Sequence, residues 1–158
     1  MVDNDAADAV TATGRRPLDP ELAAILDFYP PLLRATVTPG TIDTYREAIR
    51  DRQPTIAELT ASGTVDAEIR EVPGPDGGPG VRILILRKVG GSPRPRPCLF
   101  HIHGGGMIAG DMLMRADSLA QSVDELDVVG ISVEYRLAPE NPFPAALEDC
   151  YAALTWAS

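Results

Sequence analysis

The run Cys98-Leu99-Phe100-His101-Ile102-His103-Gly104-Gly105-Gly106 decides the architecture. A short apolar stretch that stops at three consecutive glycines reads as a buried strand opening into a loop. Downstream, Ala116, Leu119, Ala120, Val123 and Leu126 fall on one helical stripe within Met112 to Leu126, and Val128 to Val133 reads as the next strand. Strand, helix and strand in succession predict a right-handed crossover between parallel strands. Upstream, Val65 to Arg70 alternates apolar and charged residues, a half-exposed strand. Gly74-Pro75-Asp76-Gly77-Gly78-Pro79-Gly80 is a loop by composition, and Val81 to Leu86 a second strand, so the two pair as an antiparallel hairpin. The chain is therefore expected to be α/β, with an antiparallel edge on a parallel strand-helix-strand unit.

The flanks fill in the rest. Pro93, Pro95 and Pro97 make an extended spacer in preference to a Pro-rich peptide ligand, while Pro139, Pro142 and Pro144 stiffen a turn. Pro144 is expected at the first position of a closing helix that turns Leu147, Cys150, Tyr151 and Leu154 inward. At the other end, residues 1–16 read as a disordered tail. Asp19-Pro20-Glu21 opens a helix carrying Leu22, Ile25, Leu26 and Tyr29 on one face and stopped by Pro30-Pro31. A second helix covers Ile42 to Arg52, with Ile42, Tyr45 and Ile49 on one side and Arg46, Arg50 and Asp51 on the other. A helical turn follows over Ile56 to Leu59.

Composition narrows the function. With 158 residues, 44% of them hydrophobic, the chain suits one domain, and no apolar run approaches the roughly 20 residues of a membrane-spanning helix. The first ten residues hold three aspartates and no basic segment, so a secretory signal is not expected and the cytoplasm is. A formal charge of −9 disfavours nucleic acid and anionic membrane surfaces as partners. Cys98 and Cys150 stand far apart without a CxxC, which predicts two buried reduced thiols and no metal site.

The glycines carry the chemistry. Removing three Cβ atoms lets the backbone take positive φ and bring successive amides up to a developing negative charge, an oxyanion hole at a strand end. A plain glycine turn is the alternative. A phosphate cradle is a third reading, weakened because neither GxxxxGK[ST] nor a helix-opening GxGxxG is present.

The run His101-Ile102-His103-Gly104-Gly105-Gly106-Met107-Ile108-Ala109-Gly110 resembles the HGGG element of the hormone-sensitive-lipase-like esterases of the α/β-hydrolase fold. Glu134-Tyr135-Arg136-Leu137-Ala138-Pro139-Glu140, followed by Pro142-Phe143-Pro144-Ala145-Ala146, is similar to that family's DYRLAPE and PFPAA segments, with Glu134 where Asp is usual. Leu18-Asp19-Pro20-Glu21-Leu22 resembles the start of its cap helix. The resemblance implies that Gly105 and Gly106 donate oxyanion-hole amides while Gly104 shapes the turn. It also implies that His103 orients the loop and that Glu134, Arg136 and Glu140, beside Tyr135, tie the Pro-rich turn by ion pairs. His101 is expected to be packed or hydrogen-bonded. Residues 17–62 would form a helical cap and 63–158 the N-terminal half of the hydrolase core. The implied substrate is a small-molecule ester of the full-length parent, with no cofactor and no metal.

None of the catalytic triad is expected in this sequence. An ester hydrolase of this kind needs a GxSxG serine, then Asp or Glu, then His. Ser62, Ser92, Ser118, Ser122, Ser132 and Ser158 lack the flanking glycines, and the only histidines, His101 and His103, precede where the serine belongs. The chain is thus expected to be inactive alone. In the family's strand order, 1-2-4-3-5, Leu99, Phe100 and Ile102 would lie on an open sheet edge. That predicts self-association or a complementing C-terminal fragment. A non-catalytic small-anion-binding module and a subunit completed in trans are the competing readings.

Overall fold

A computed structural model describes residues 19–26 and 36–158, and the chain divides into two compact units, Met1–Val37 and Thr38–Ser158. In the first, helix α1 spans Pro20–Leu26, and the Asp19 carboxylate accepts the Glu21 N–H at 2.8 Å. That satisfies one of the amides a helix start leaves free. The expected tail of residues 1–16, Tyr29 and the Pro30-Pro31 stop lie outside the described residues.

The second unit begins with α2 (Ile42–Arg50) and α3 (Ile56–Thr60). A capping box starts α3: Thr55 Oγ1 accepts the Glu58 N–H at 3.2 Å and the Glu58 carboxylate accepts the Thr55 N–H at 2.7 Å. Strands β1 (Val65–Val72) and β2 (Val81–Lys88) form the expected hairpin, Val65 opposite Lys88 and Val72 opposite Val81. Strand β3 (Cys98–Ile102), helix α4 (Ala116–Leu126) and strand β4 (Val129–Glu134) form the expected parallel unit, Cys98 opposite Val129 and Ile102 opposite Val133. Antiparallel pairing of β2 with β4 joins the two halves, in the order β1-β2-β4-β3. Helix α5 (Ala145–Ala157) closes the described fold.

Strand β2 is covered on both faces, which is why it reads as an unbroken apolar run. Leu84 and Leu86 pack with Leu59, Val65, Met112, Leu119 and Val123; Ile83 and Ile85 pack with Val72, Ile131, Val133, Tyr135 and Ala153. Each of these four fully buried β2 side chains is worth about 1.5–3 kcal/mol relative to exposure. Gly130 brings α4 down onto β4, since a Cβ there would sit 2.9 Å from Leu119 Cγ and Val123 Cγ2.

Several expectations need correction. Helix α4 starts at Ala116, not Met112, because the Asp111 carboxylate captures the Leu113 N–H at 2.8 Å and Arg115 takes a φ of +63°. Leu126 is exposed rather than on the buried stripe, for Asp127 at φ +50° swings the chain into β4 directly after it. Helix α5 turns Ala146, Asp149, Cys150 and Ala153 inward and leaves Leu147, Tyr151 and Leu154 exposed. Its small residues allow close approach to the sheet. Pro144 precedes the first helical residue as the cap. Both thiols are free, but Cys98 is exposed, because it opens an edge strand. On that edge, Leu99 and Ile102 are exposed as expected, whereas Phe100 is half-buried against the cluster of Ile83 and Ile85.

Candidate functional site

Strand β3 delivers His103, 3% exposed, into the glycine loop. There Gly105, Gly106 and Met107 take φ values of +112°, +63° and +62° in succession. A Cβ at Gly105 would lie 2.0 Å from the Ala109 carbonyl oxygen, so only glycine fits there. Gly104 is different. A Cβ there meets nothing nearer than Met114 Cε at 3.8 Å, so the turn is shaped by the residues after it.

The hydrogen bonds fix which way the amides point. The Gly105 carbonyl accepts the Ile108 and Ala109 N–H groups, both at 3.2 Å. In a trans peptide the carbonyl and the next N–H point in opposite directions, so the Gly106 N–H faces away from that inner turn. The Gly104 carbonyl accepts His103 Nδ1–H at 2.8 Å and sits 3.4 Å from the Tyr135 hydroxyl, which turns the Gly105 N–H away from that side. Among the described residues neither glycine amide donates to any acceptor. Gly106 also lines an apolar cavity of about 310 Å³ walled by Ile102, Met107, Tyr135, Leu147 and Cys150.

Tyr135 anchors the strand end. Its ring stacks on His103 at 4.0 Å between centroids and 8° between planes, and its hydroxyl donates to the His103 carbonyl at 2.8 Å. Burial pushes the Tyr135 hydroxyl up to about 12 and the His103 imidazole below its ordinary value. With Nδ1–H committed to Gly104, buried Nε2 is a lone-pair acceptor with no partner among the described residues. His101 is hydrogen-bonded as expected, its Nδ1 lying 3.1 Å from Ser132 Oγ.

Of the three charged residues expected to tie the Pro-rich turn, Arg136 and Glu140 do so, each with a partner from outside the motif, and Glu134 does not. Arg136 grips the buried Asp149 through Nη2 at 2.8 Å and Nε at 2.9 Å, while the Arg136 N–H donates to the same carboxylate at 2.9 Å. Hydrogen bonding to Asp149 raises the Arg136 guanidinium above its ordinary value. Glu134 stands apart across the sheet, 3.4 Å from Arg82, and burial raises its carboxyl. Glu140 pairs with Arg46 at 2.8 Å, which lowers its carboxyl to about 2.

Arg46 and Asp149 are the residues that sequence reasoning missed. Arg46 was expected on the outer side of its helix, yet its side chain is 16% exposed and joins both motifs. Its Nε–H donates to the Ile108 carbonyl at 2.8 Å, its Nη2 to the Ala138 carbonyl at 2.9 Å, and both terminal nitrogens to Glu140. The Ala138 N–H adds a direct link, donating to the Met107 carbonyl at 2.9 Å. Asp149 could have been noticed as the lone acid between Ala146 and Ala153 on an otherwise apolar face. Arg46 offered no local signal.

Residues 99–158 match a family model described as the alpha/beta hydrolase fold. Esterase LipI of Mycobacterium tuberculosis is 36% identical over 148 residues, covering 92% of this chain and 43% of that protein. Hormone-sensitive lipase of Mus musculus is 41% identical over 78 residues, 49% of this chain and 10% of that protein. Among solved structures, a bacterial heroin esterase superposes with a TM-score of 0.69 at 35% identity, covering 88% of this chain and 42% of that one. An esterase of Pyrobaculum calidifontis gives 0.66 at 30% identity, covering 89% and 42%. The chain thus spans less than half the length of these relatives. Among its described residues no helix is long and apolar enough to cross a membrane. With its mixed four-stranded sheet, its glycine loop and its Pro-rich turn, the chain has part of the α/β-hydrolase fold and is similar to the hormone-sensitive-lipase-like esterases.

Proposed function

We propose that this chain supplies the oxyanion-hole half of a carboxylic ester hydrolase site, with the Gly105 and Gly106 amides as donors, and that it is inactive by itself. The observation that carries the reading is the pair of free amides at positive φ, turned away from the bonded inner face of the loop beside an apolar cavity. A tetrahedral intermediate places its negative oxygen where such donors converge, and one donor is worth about 3–4 kcal/mol of transition-state stabilisation. That stabilisation needs a nucleophile to act on, and no serine of this sequence stands in GxSxG. The substrate of the completed protein is a small-molecule ester.

Completion by a segment that carries the serine elbow is favoured over a free-standing anion binder by two features. Among the described residues, strand β3 is an unpaired edge bearing exposed Leu99 and Ile102, and buried His103 Nε2 is an acceptor without a donor. The test is labelling with a serine-reactive fluorophosphonate together with hydrolysis of p-nitrophenyl acetate. The purified chain should take up no stoichiometric label and show no burst. Stoichiometric labelling of this chain alone would overturn the proposal.

A further inference from the structure

We infer that Arg46 is a positioning residue for the Gly106 donor, acting through a relay of two peptide groups. The inference rests on the oxyanion reading of the loop. The relay runs from Arg46 Nε–H to the Ile108 carbonyl at 2.8 Å, then through the same peptide group to the Ala109 N–H, which donates to the Gly105 carbonyl at 3.2 Å. The Gly105 carbonyl belongs to the peptide group whose other end is the Gly106 N–H. Every step is oriented the same way. A cation at the start draws electron density along the chain and makes the last N–H a stronger donor, as hydrogen bonds in series polarise one another.

The same guanidinium fixes the geometry. Its planar fork holds Nε on the glycine loop and Nη2 on the Ala138 carbonyl at once, so the two motifs cannot shift independently. Lysine would keep the charge without the fork. Glu140 neutralises part of the charge through Nη1 and Nη2, while the bond to Ile108 is made by Nε. A clamp that was only structural would loosen on removal of either partner. The relay requires the two removals to differ.

The test uses the ¹⁵N-labelled 158-residue chain, with acetate as the anion probe, reading the Gly105, Gly106, Gly110 and Gly130 amide resonances. Arg46→Gln should move the Gly106 resonance, speed its solvent exchange relative to Gly130, and weaken acetate binding by about threefold or more. Arg46→Lys should not rescue either property. Glu140→Gln should leave the Gly106 exchange rate and the acetate affinity within about twofold of the unmodified chain. A Gly106 resonance unaffected by Arg46→Gln, or equal effects from Arg46→Gln and Glu140→Gln, would overturn the relay. So would unfolding of both Arg46 variants, which would mark a purely structural clamp. If acetate perturbs neither glycine in the unmodified chain, the oxyanion reading fails, and the relay is still decided by the Gly106 shift and exchange.

Discussion

Helices α4 and α5 cover opposite faces of one sheet, α4 against Leu84 and Leu86 and α5 against Ile83 and Ile85, and they choose their buried residues by opposite rules. Helix α4 buries Leu119 and Val123 with two alanines and shows Asp117, Gln121 and Glu125 to solvent. Helix α5 buries alanines, Cys150 and Asp149, and leaves Leu147, Tyr151 and Leu154 outside. The face under α4 is a packed apolar layer with the close Gly130 contact at its centre. The face under α5 holds Asp149, Tyr135 and Cys150 and runs directly into the glycine loop. A helix that is apolar all round is built to be covered on two sides. In this chain one of those sides is the sheet, and the other carries the largest residues.

The contrast can be broken by substitution. Leu119→Ala should destabilise by about 2–5 kcal/mol in urea unfolding, through lost burial and the cavity left on Gly130, whereas Leu147→Ala should stay within about 0.5 kcal/mol. Equal losses would mean that the outer side of α5 is buried in solution by another copy or a complement. Asp149→Ala should cost about 3 kcal/mol, since it strands the Arg136 guanidinium and the Arg136 N–H together. Ala153→Leu should cost about 1–3 kcal/mol by overfilling the tight contact with the sheet, and exposed Leu154→Ala should again be near neutral. If Ala153→Leu were tolerated, close packing of small residues would not be what seats α5.

The same contrast marks what the sequence could disclose. Helix α4 is amphipathic, so its stripe named the buried Ala116, Leu119, Ala120 and Val123 correctly. Periodicity could not see the Asp111 side chain taking the Leu113 amide, which moved the start to Ala116. Helix α5 has apolar residues all round, and hydrophobicity alone then ranks Leu above Ala for the inward face, the reverse of what close packing requires. The hairpin and the parallel unit were legible because strands of period two and a crossover helix have few ways to combine. The loop was legible as three glycines, though the positive φ of Met107 was not, because nothing in that side chain favours it. Arg46 was invisible for a different reason: apart from Asp43 at 3.7 Å on its own helix, its partners lie 62 to 94 residues away.

Alkaline titration gives a smaller effect with its largest shifts on one face. The Cys150 thiol is raised from 9 to about 11 and the Tyr135 hydroxyl from 10 to about 12, both chiefly by burial. A group whose folded value lies above its unfolded value adds stability that is complete below the unfolded value and lost as pH rises toward the folded one. Stability should therefore hold to about pH 9, fall between 9 and 11 as unfolded chains release the thiol proton, and fall further from 10 to 12 with the phenol. Burial also raises the Cys98 thiol, so the test is made in a Cys98→Ala background: there Cys150→Ala should move the onset up to about pH 10, and Tyr135→Phe should remove the later decline, whatever either change does to stability at neutral pH. Among the described residues the buried ionisable side chains are His103, Tyr135, Asp149 and Cys150, none of them in the cluster around Leu119, so Leu119→Ala should lower the whole unfolding curve by the same amount at every pH. Only the slope is diagnostic. An alkaline decline that survives both α5-side substitutions would locate the titrating groups elsewhere, and the division between the two faces would lose its electrostatic half.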